Sequence, residues 1–189
     1  MNVKPMNYTD VGFVKKLADE SFGLNYITTE DISAYLTSKN NHAFCLFNKQ
    51  KFIGFIFFKI FENPTIQDYF LIEKNWFNDY FKASKTLAVI TQIALNKKDR
   101  KQGLSNLLFN YSIDYVKDKC DGVISICWIK DIENPMQFLL QNNGFYNIKT
   151  LKNYWLKDSI EKGYQCDICG NPCNCTAQVF ELKKKPSQH

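Results

Sequence analysis

Apolar and polar positions change period several times along the chain. Val3 and Met6 open a brief alternation, and Phe13, Val14, Leu17 and Phe22 then recur at helical spacing, with Asp10 as the predicted N-cap. Thr28 and Thr29 stand ahead of Glu30 and Asp31 in a capping pattern, which predicts a second helix from about Thr29 to Leu36. The run A-F-C-L-F, a polar N-K-Q-K turn and F-I-G-F-I-F-F-K-I-F predict two paired strands. Residues 62–82 have no clean period. Pro64 breaks the strand, and the cluster Tyr69, Phe70, Trp76, Phe77, Tyr80 and Phe81 fits a short helix or a covering loop.

The second half reads more clearly. T-L-A-V-I-T-Q-I-A-L-N, residues 86–96, predicts a central strand. A polar turn, K-K-D-R-K-Q-G, follows it, and Leu104, Leu107, Leu108, Tyr111 and Tyr115 predict the apolar face of a helix ending near Lys119. Gly122 restarts the chain and V-I-S-I-C-W-I, residues 123–129, predicts the next strand, so 86–129 form a strand–helix–strand unit with parallel neighbours and a right-handed crossover. Asn134 as N-cap and Pro135 at the first helical position predict a further helix, closed at Asn143-Gly144. Two last strands are expected around 145–157 and 176–183, with a cysteine cluster between them.

A chain of 189 residues fits one domain with room for a modest addition. Hydrophobic residues at 45% and charged residues at 23% suit a soluble globular protein and argue against long disorder. The net charge of +5 is spread along the chain rather than gathered in blocks, which is weak support for a nucleic-acid partner and suits a polyanionic small molecule at least as well. The longest apolar run, Phe52 to Phe58, falls far short of the ~20 residues a membrane span takes. The start, M-N-V-K-P-M-N-Y-T-D, lacks the apolar region of a signal peptide. The expectation is a cytoplasmic protein, monomer or homodimer, without membrane or nucleic-acid partners.

The turn Arg100-Lys101-Gln102-Gly103-Leu104-Ser105 lies between a predicted strand and a predicted helix. The first turn of a helix leaves backbone N–H groups unpaired and carries partial positive charge, so successive amides there make a concave anion site. Lys97, Lys98, Arg100 and Lys101 add positive charge around it, Gly103 allows close backbone approach, and Ser105 is small enough for the loop to wrap tightly. These features fit a phosphate; a solvated basic turn capped by a glycine would have the same spacing.

Arg100, Gly103 and Ser105 take the three fixed positions of a [Q/R]-x-x-G-x-[G/A] pattern, with Ser in place of Gly or Ala. Together with F-I-G-F in the third strand, a final helix ending in N-N-G-F and the helix–helix–hairpin order, this resembles the GNAT N-acetyltransferase superfamily over roughly residues 1–157 and much of the last strand. The resemblance implies the acyl-CoA N-acyltransferase fold: α/β, a mixed central sheet flanked by helices, in a single domain over 1–189. It implies acetyl-CoA, or another short acyl-CoA, as co-substrate and an amine as acceptor. Arg100, Lys101, Gln102, Gly103, Leu104 and Ser105 would hold the pyrophosphate, the backbone of Ile93, Ala94 and Leu95 the pantetheine arm, and Asn134 would contact that arm, although Glu133 falls on the consensus position. The acceptor would attack the thioester directly, in a gap between the strands at 86–96 and 123–129.

Two departures leave the catalytic residues unassigned. Many relatives carry a general-base Glu in or near the strand matching 87–96, where this chain has no carboxylate and only Thr91 and Gln92 as polar side chains before Asn96. Leu140 stands where relatives carry a Tyr that protonates the leaving thiolate. Glu73, Asp79, Tyr146 and Tyr154 are the substitutes considered. The same departures keep a second function open, a non-catalytic acyl-CoA-binding or regulatory module.

Of seven cysteines, Cys45, Cys120 and Cys127 sit singly among apolar residues and are expected to be small buried hydrophobes. Cys166, Cys169, Cys173 and Cys175 crowd into C-D-I-C-G-N-P-C-N-C, a segment at 165–176 that the standard family domain lacks. The half C-x-x-C-G resembles a zinc knuckle, and four thiolates suit a structural tetrahedral Zn²⁺. An iron–sulfur cluster also takes four thiolates, and reduced thiols or a redox pair complete the alternatives.

Overall fold

Both sides of the A-F-C-L-F strand are buried, and that fact organises the molecule. In the computed structural model, which describes residues 1–24, 26–62, 74–129, 134–166 and 168–183, strand β2 (Asn41–Asn48) pairs antiparallel with β3 (Lys51–Glu62). Phe44 and Leu46 of β2, with Ile56 and Phe58 of β3, join one apolar cluster, while Ala43, Cys45, Phe47, Phe55 and Phe57 join another on the opposite face. A strand covered on both faces reads as a continuous apolar run, which is what the sequence shows here.

Strand β1 (Asn2–Pro5) lines the outer edge of this hairpin, β4 (Thr86–Leu95) its inner edge, and β5 (Gly122–Ile129), β6 (Tyr146–Leu151) and β7 (Thr176–Lys183) complete one seven-stranded sheet. The order is β1-β2-β3-β4-β5-β7-β6, antiparallel except for the parallel pair β4–β5. Helices α1 (Val11–Phe22), α2 (Thr29–Thr37) and α3 (Lys74–Phe81) cover one face; α4 (Leu104–Val116) and α5 (Pro135–Asn142) cover the other. A mixed sheet flanked by helices is the predicted fold class. No described helix is long and apolar enough to cross a membrane.

Several local expectations need correction. Asp10 does not cap α1 with its side chain; Asn7 opens a preceding 3₁₀ turn in a reciprocal capping box with Asp10, whose carboxylate also takes Lys4. Helix α4 buries Leu108, Phe109, Ser112, Ile113 and Val116, whereas Leu107, Tyr111 and Tyr115 are exposed by more than two fifths. The true face is rotated from the predicted one because Ser112 is buried with its hydroxyl donating to the Leu108 carbonyl at 2.7 Å, hiding the stripe. Tyr111 and Tyr115 instead lean edge-on against Phe44. The strand expected over 145–157 ends at Leu151, and residues Leu156–Lys162 form a helix, α6, before the cysteine cluster. The capping box at Thr28 and Asp31, the Asn134 cap and the positive-φ Gly144 are as predicted.

Candidate active site

The site grows from one irregularity. In the β3–β4 ladder Phe57 pairs with Gln92 and Phe58 with Ile90, so Thr91 is an extra residue on β4. Side chains alternate with period two, and a bulge shifts that alternation by one. Ala88 and Ile90 before it, and Ile93 and Leu95 after it, therefore all face the α4 side. Thr91 is fixed by its hydroxyl, which meets the Tyr35 hydroxyl of α2 at 2.8 Å.

Beyond the bulge the parallel strands separate. Pairing of β4 with β5 runs only from Leu87–Gly122 to Ile90–Ser125, although β4 continues to Leu95 and β5 to Ile129. Ile93, Ala94 and Leu95 stay paired to β3 through Ile56, Phe55 and Gly54, so the polar groups on their other edge face the split. Gly54 is required there: a Cβ on it would sit 2.4 Å from the Ala94 carbonyl oxygen.

The chain leaves β4 into the basic turn at this same end. A 3₁₀ turn, Lys97–Asp99, is pinned by Asp99, which takes Lys51 in an ion pair, and by Asn96, whose amide donates to the Phe52 carbonyl at 2.7 Å. The Lys51 hydrogen bond, above all, holds the Asp99 carboxyl below the usual carboxylate range. Lys101 (φ 59) and Gly103 (φ 74) both adopt left-handed backbone, which turns consecutive N–H groups toward one concave side. Among the described residues, no backbone acceptor takes the amides of Lys101, Gln102, Gly103, Leu104 or Ser105. Space around Gly103 is open, so its φ, and not crowding, is what asks for glycine. Arg100 spends its Nε–H on the Leu95 carbonyl at 2.9 Å, tying the turn to the strand; Gln102 reaches back to the Lys98 carbonyl. Lys97, Lys98 and Lys101 are exposed.

Asn134 stands across the split. Its side-chain oxygen accepts from the Met136 and Gln137 amides, and its Nδ2 donates to the carbonyl of Trp128 near the end of β5. It fastens α5 to the diverging strand and is 5% exposed. Glu133 and Glu73 lie outside the described residues.

A cavity of about 130 Å³ opens on the α1–α2 side of the split. It is lined by Thr91 and Gln92 from the bulge, Ile126 and Trp128 from β5, Phe22 at the end of α1, Tyr26 from the α1–α2 connection, Trp155, and Tyr164, Gln165, Cys166 and Cys173. The Tyr164 hydroxyl is buried and has no hydrogen-bond partner of normal geometry among the described residues. Burial first, and the nearby Asp158 carboxylate second, push this phenol up, so it stays protonated. A wider groove of about 630 Å³ lies along β6 and α6, but no residue of β4 or β5 lines it.

The four cysteines of the cluster converge. Their sulfurs lie within 4.8 Å of one another, with Cys166 and Cys169 at 3.8 and 3.5 Å from Cys175. Tetrahedral thiolates about 2.3 Å from a zinc ion stand ~3.8 Å apart, so the donor set fits that metal, whereas a disulfide needs ~2 Å. Burial opposes ionisation of Cys169, yet the Asn174 amide and the neighbouring thiols bring it down to about 7. Burial pushes Cys175 up to about 11, against the pull of the Trp128 indole. The hairpin is seated on α6: the Ser159 hydroxyl accepts the Cys173 amide at 2.8 Å, and Asn171 donates to the Ser159 and Tyr164 carbonyls. Cys45, Cys120 and Cys127 are buried, as expected.

The sequence offered no signal for Tyr26, Trp128, Trp155 or Tyr164 as cavity residues, because they meet only through tertiary packing. The substitutes considered for acid and base work lie elsewhere. Tyr146 and Tyr80 both donate to the buried Glu181, Asp79 is exposed, and Tyr154 packs with the α3 cluster. Leu140 is fully buried in the core.

No protein-family model and no curated protein matches the chain. Solved structures do. NAA60 from Arabidopsis thaliana, in complex with a bisubstrate analogue, is 17% identical, with a TM-score of 0.72 over 96% of this chain and 97% of that one. The ribosomal-protein-S18-alanine N-acetyltransferase from Escherichia coli is 12% identical, with a TM-score of 0.66 over 100% and 98% of the two chains. An acetyltransferase of the GNAT family from Streptococcus pneumoniae gives 12% and 0.67 over 97% and 99%. At these identities the likeness is one of backbone architecture. The chain has the fold of the GNAT N-acetyltransferases.

Proposed function

We propose that the protein is an N-acyltransferase that moves an acetyl or other short acyl group from acyl-CoA to an amine. The observation that carries this reading is the alignment of three features at one end of β4: unclaimed amides at residues 101–105, a split beside Ile93–Leu95, and a cavity at Thr91 and Gln92. Similar folds have been solved with acetyl-CoA and with a bisubstrate analogue, which supports the same placement of ligand.

In this reading the amides of Lys101, Gln102, Gly103, Leu104 and Ser105 take the pyrophosphate, with Lys97, Lys98 and Lys101 supplying charge. Arg100 positions the turn through Leu95. The pantetheine arm lies along Ile93, Ala94 and Leu95, and Asn134 holds the opposite wall. The thioester then reaches Thr91 and Gln92, where the acceptor waits. The amine nitrogen attacks the thioester carbonyl carbon; the C–N bond forms, the C–S bond breaks, and coenzyme A leaves as a thiolate that takes up the proton the amine gives off. Backbone N–H groups of β4 left free by β5 can stabilise the oxyanion, and the remaining acceleration comes from proximity.

Cys166, Cys169, Cys173 and Cys175 would hold one zinc ion, whose contribution is structural: it fixes a hairpin that packs on α6. The protein acts in the cytoplasm in this reading.

Release of free thiol from acetyl-CoA in the presence of an amine panel tests the reading. Amine-dependent release is expected. Tight binding of coenzyme A with no release for any amine would favour the second reading, a non-catalytic acyl-CoA-binding module, to which the absence of a carboxylate from residues 87–96 gives specific support.

A further inference from the structure

The cysteine hairpin does more than close a surface loop, because its inner side is the wall of the cavity. Tyr164, Gln165, Cys166 and Cys173 line it, facing Thr91 and Gln92 at the split. Two of the four cysteines thus belong to the cavity wall itself. The Tyr164 ring is held edge-on against Tyr26 at 5.3 Å, and the Tyr164 carbonyl accepts from Asn171 inside the hairpin. The hydroxyl of Tyr164 is buried at this wall, with the Asp158 carboxylate as its polar neighbour.

The rest of the lining says what kind of ligand fits. Phe22, Tyr26, Trp128, Trp155 and Tyr164 supply aromatic surface, and no Lys, Arg, Asp or Glu lines the cavity. A volume of about 130 Å³ equals roughly four waters at ~30 Å³ each, so only a few heavy atoms enter. Aromatic faces accept both alkyl groups and ammonium ions, and a carboxylate would meet no cation there.

We infer that the four-thiol hairpin is the acceptor-side wall of the active site, so that metal occupancy governs the binding of an amine carrying a compact, uncharged apolar group. This rests on the acyltransferase reading above. Without metal the four donors lose their common centre, and the wall at Tyr164, Cys166 and Cys173 rests on the weaker support of the Asn171 and Ser159 hydrogen bonds; the cofactor turn at 97–105, past the end of β4, keeps its own supports in Asp99, Asn96 and Arg100.

Titration of isobutylamine into zinc-loaded and chelator-stripped protein, each saturated with coenzyme A, tests this. The readout is the fluorescence of Trp128 and Trp155, with coenzyme A affinity measured calorimetrically in parallel. Expected are an amine affinity at least tenfold weaker after stripping and a coenzyme A affinity changed less than twofold. Equal amine affinity in both states, equal loss of both ligands, a chain that takes up no zinc, or loaded protein that binds coenzyme A but not isobutylamine would each overturn the inference. Failure of loaded protein to bind coenzyme A would instead bring down the acyltransferase reading on which it rests. If stripping unfolds the chain, Tyr164→Leu decides: zinc content and coenzyme A affinity should stay unchanged while amine affinity falls about tenfold, and unchanged amine affinity would overturn the inference.

Discussion

The hydroxyls of Tyr35 and Thr91, 56 positions apart, meet at 2.8 Å. This one contact joins helix α2 to the bulge that re-aims β4 toward the split, and so links the first half of the chain to the proposed acceptor site. Tyr35→Phe removes it and leaves Thr91 with only a long contact to the Phe57 carbonyl. The expected loss is about 1 kcal/mol, a fall of ~2–4 °C in Tm for a chain of this size, together with a raised acceptor KM. A double-mutant cycle with Thr91→Val should recover a coupling of ~1 kcal/mol. A cycle showing no coupling would mean that the bulge holds its place without the helix.

Gly54 lies against the Ala94 carbonyl, where the proposed pantetheine strand passes β3. Gly54→Ala should cost about 1–3 kcal/mol through overpacking and weaken coenzyme A binding as β4 is displaced. Differential scanning calorimetry and binding calorimetry check the two effects separately. A variant with unchanged stability would contradict the close approach.

Gly103→Ala probes the turn by another route. The position has open space but a φ of 74°, so the strain is conformational, at a cost of ~1 kcal/mol, and the displaced amides should weaken coenzyme A binding more than they lower Tm. Unchanged affinity would argue that the amides do not meet the ligand.

Acid should loosen the same turn. The carboxyl of Asp99 is held below its ordinary value chiefly by its hydrogen bond from Lys51. A depressed carboxylate contributes stability that is fully present above the unfolded value near 4 and is lost as pH falls through the folded one. Lys51→Met should therefore flatten the dependence of Tm on pH below about 4, and an unaltered slope would place that acid sensitivity elsewhere.

Much of this architecture was legible from residue pattern. The β2–β3 hairpin, the capping box at Thr28, the N-cap at Asn134 and the parallel unit over 86–129 follow from local signals that the tertiary structure reinforces. The face of α4 was not legible, because a buried serine satisfied within its own helix looks polar in sequence. Helix α6 was hidden too: a turn through Asn153, in left-handed backbone, separates it from the strand that ends at Leu151, and its seven residues, Leu156–Lys162, are too few to show a clear period. In the candidate site, the basic turn and the cysteines announce themselves by spacing. Tyr164 and Trp155 do not, since their role depends on which residues the split sheet brings opposite them.

Arg100 has a structural duty besides the one proposed for it at the pyrophosphate. Its guanidinium holds the Leu95 carbonyl, so reversing its charge disturbs the turn as well as the field around it. Lys101→Glu, at an exposed position, isolates the field. It should weaken coenzyme A binding about three- to tenfold at low ionic strength, with the difference shrinking as salt is raised.

Diffraction from crystals soaked in acetyl-CoA is the most direct measurement of all. Density for the pyrophosphate is expected against the amides of Lys101 to Ser105, with the thioester between β4 and β5 beside Thr91 and Gln92. A turn left bare at saturating ligand, or a cofactor seated anywhere else on the sheet, would contradict the proposed site.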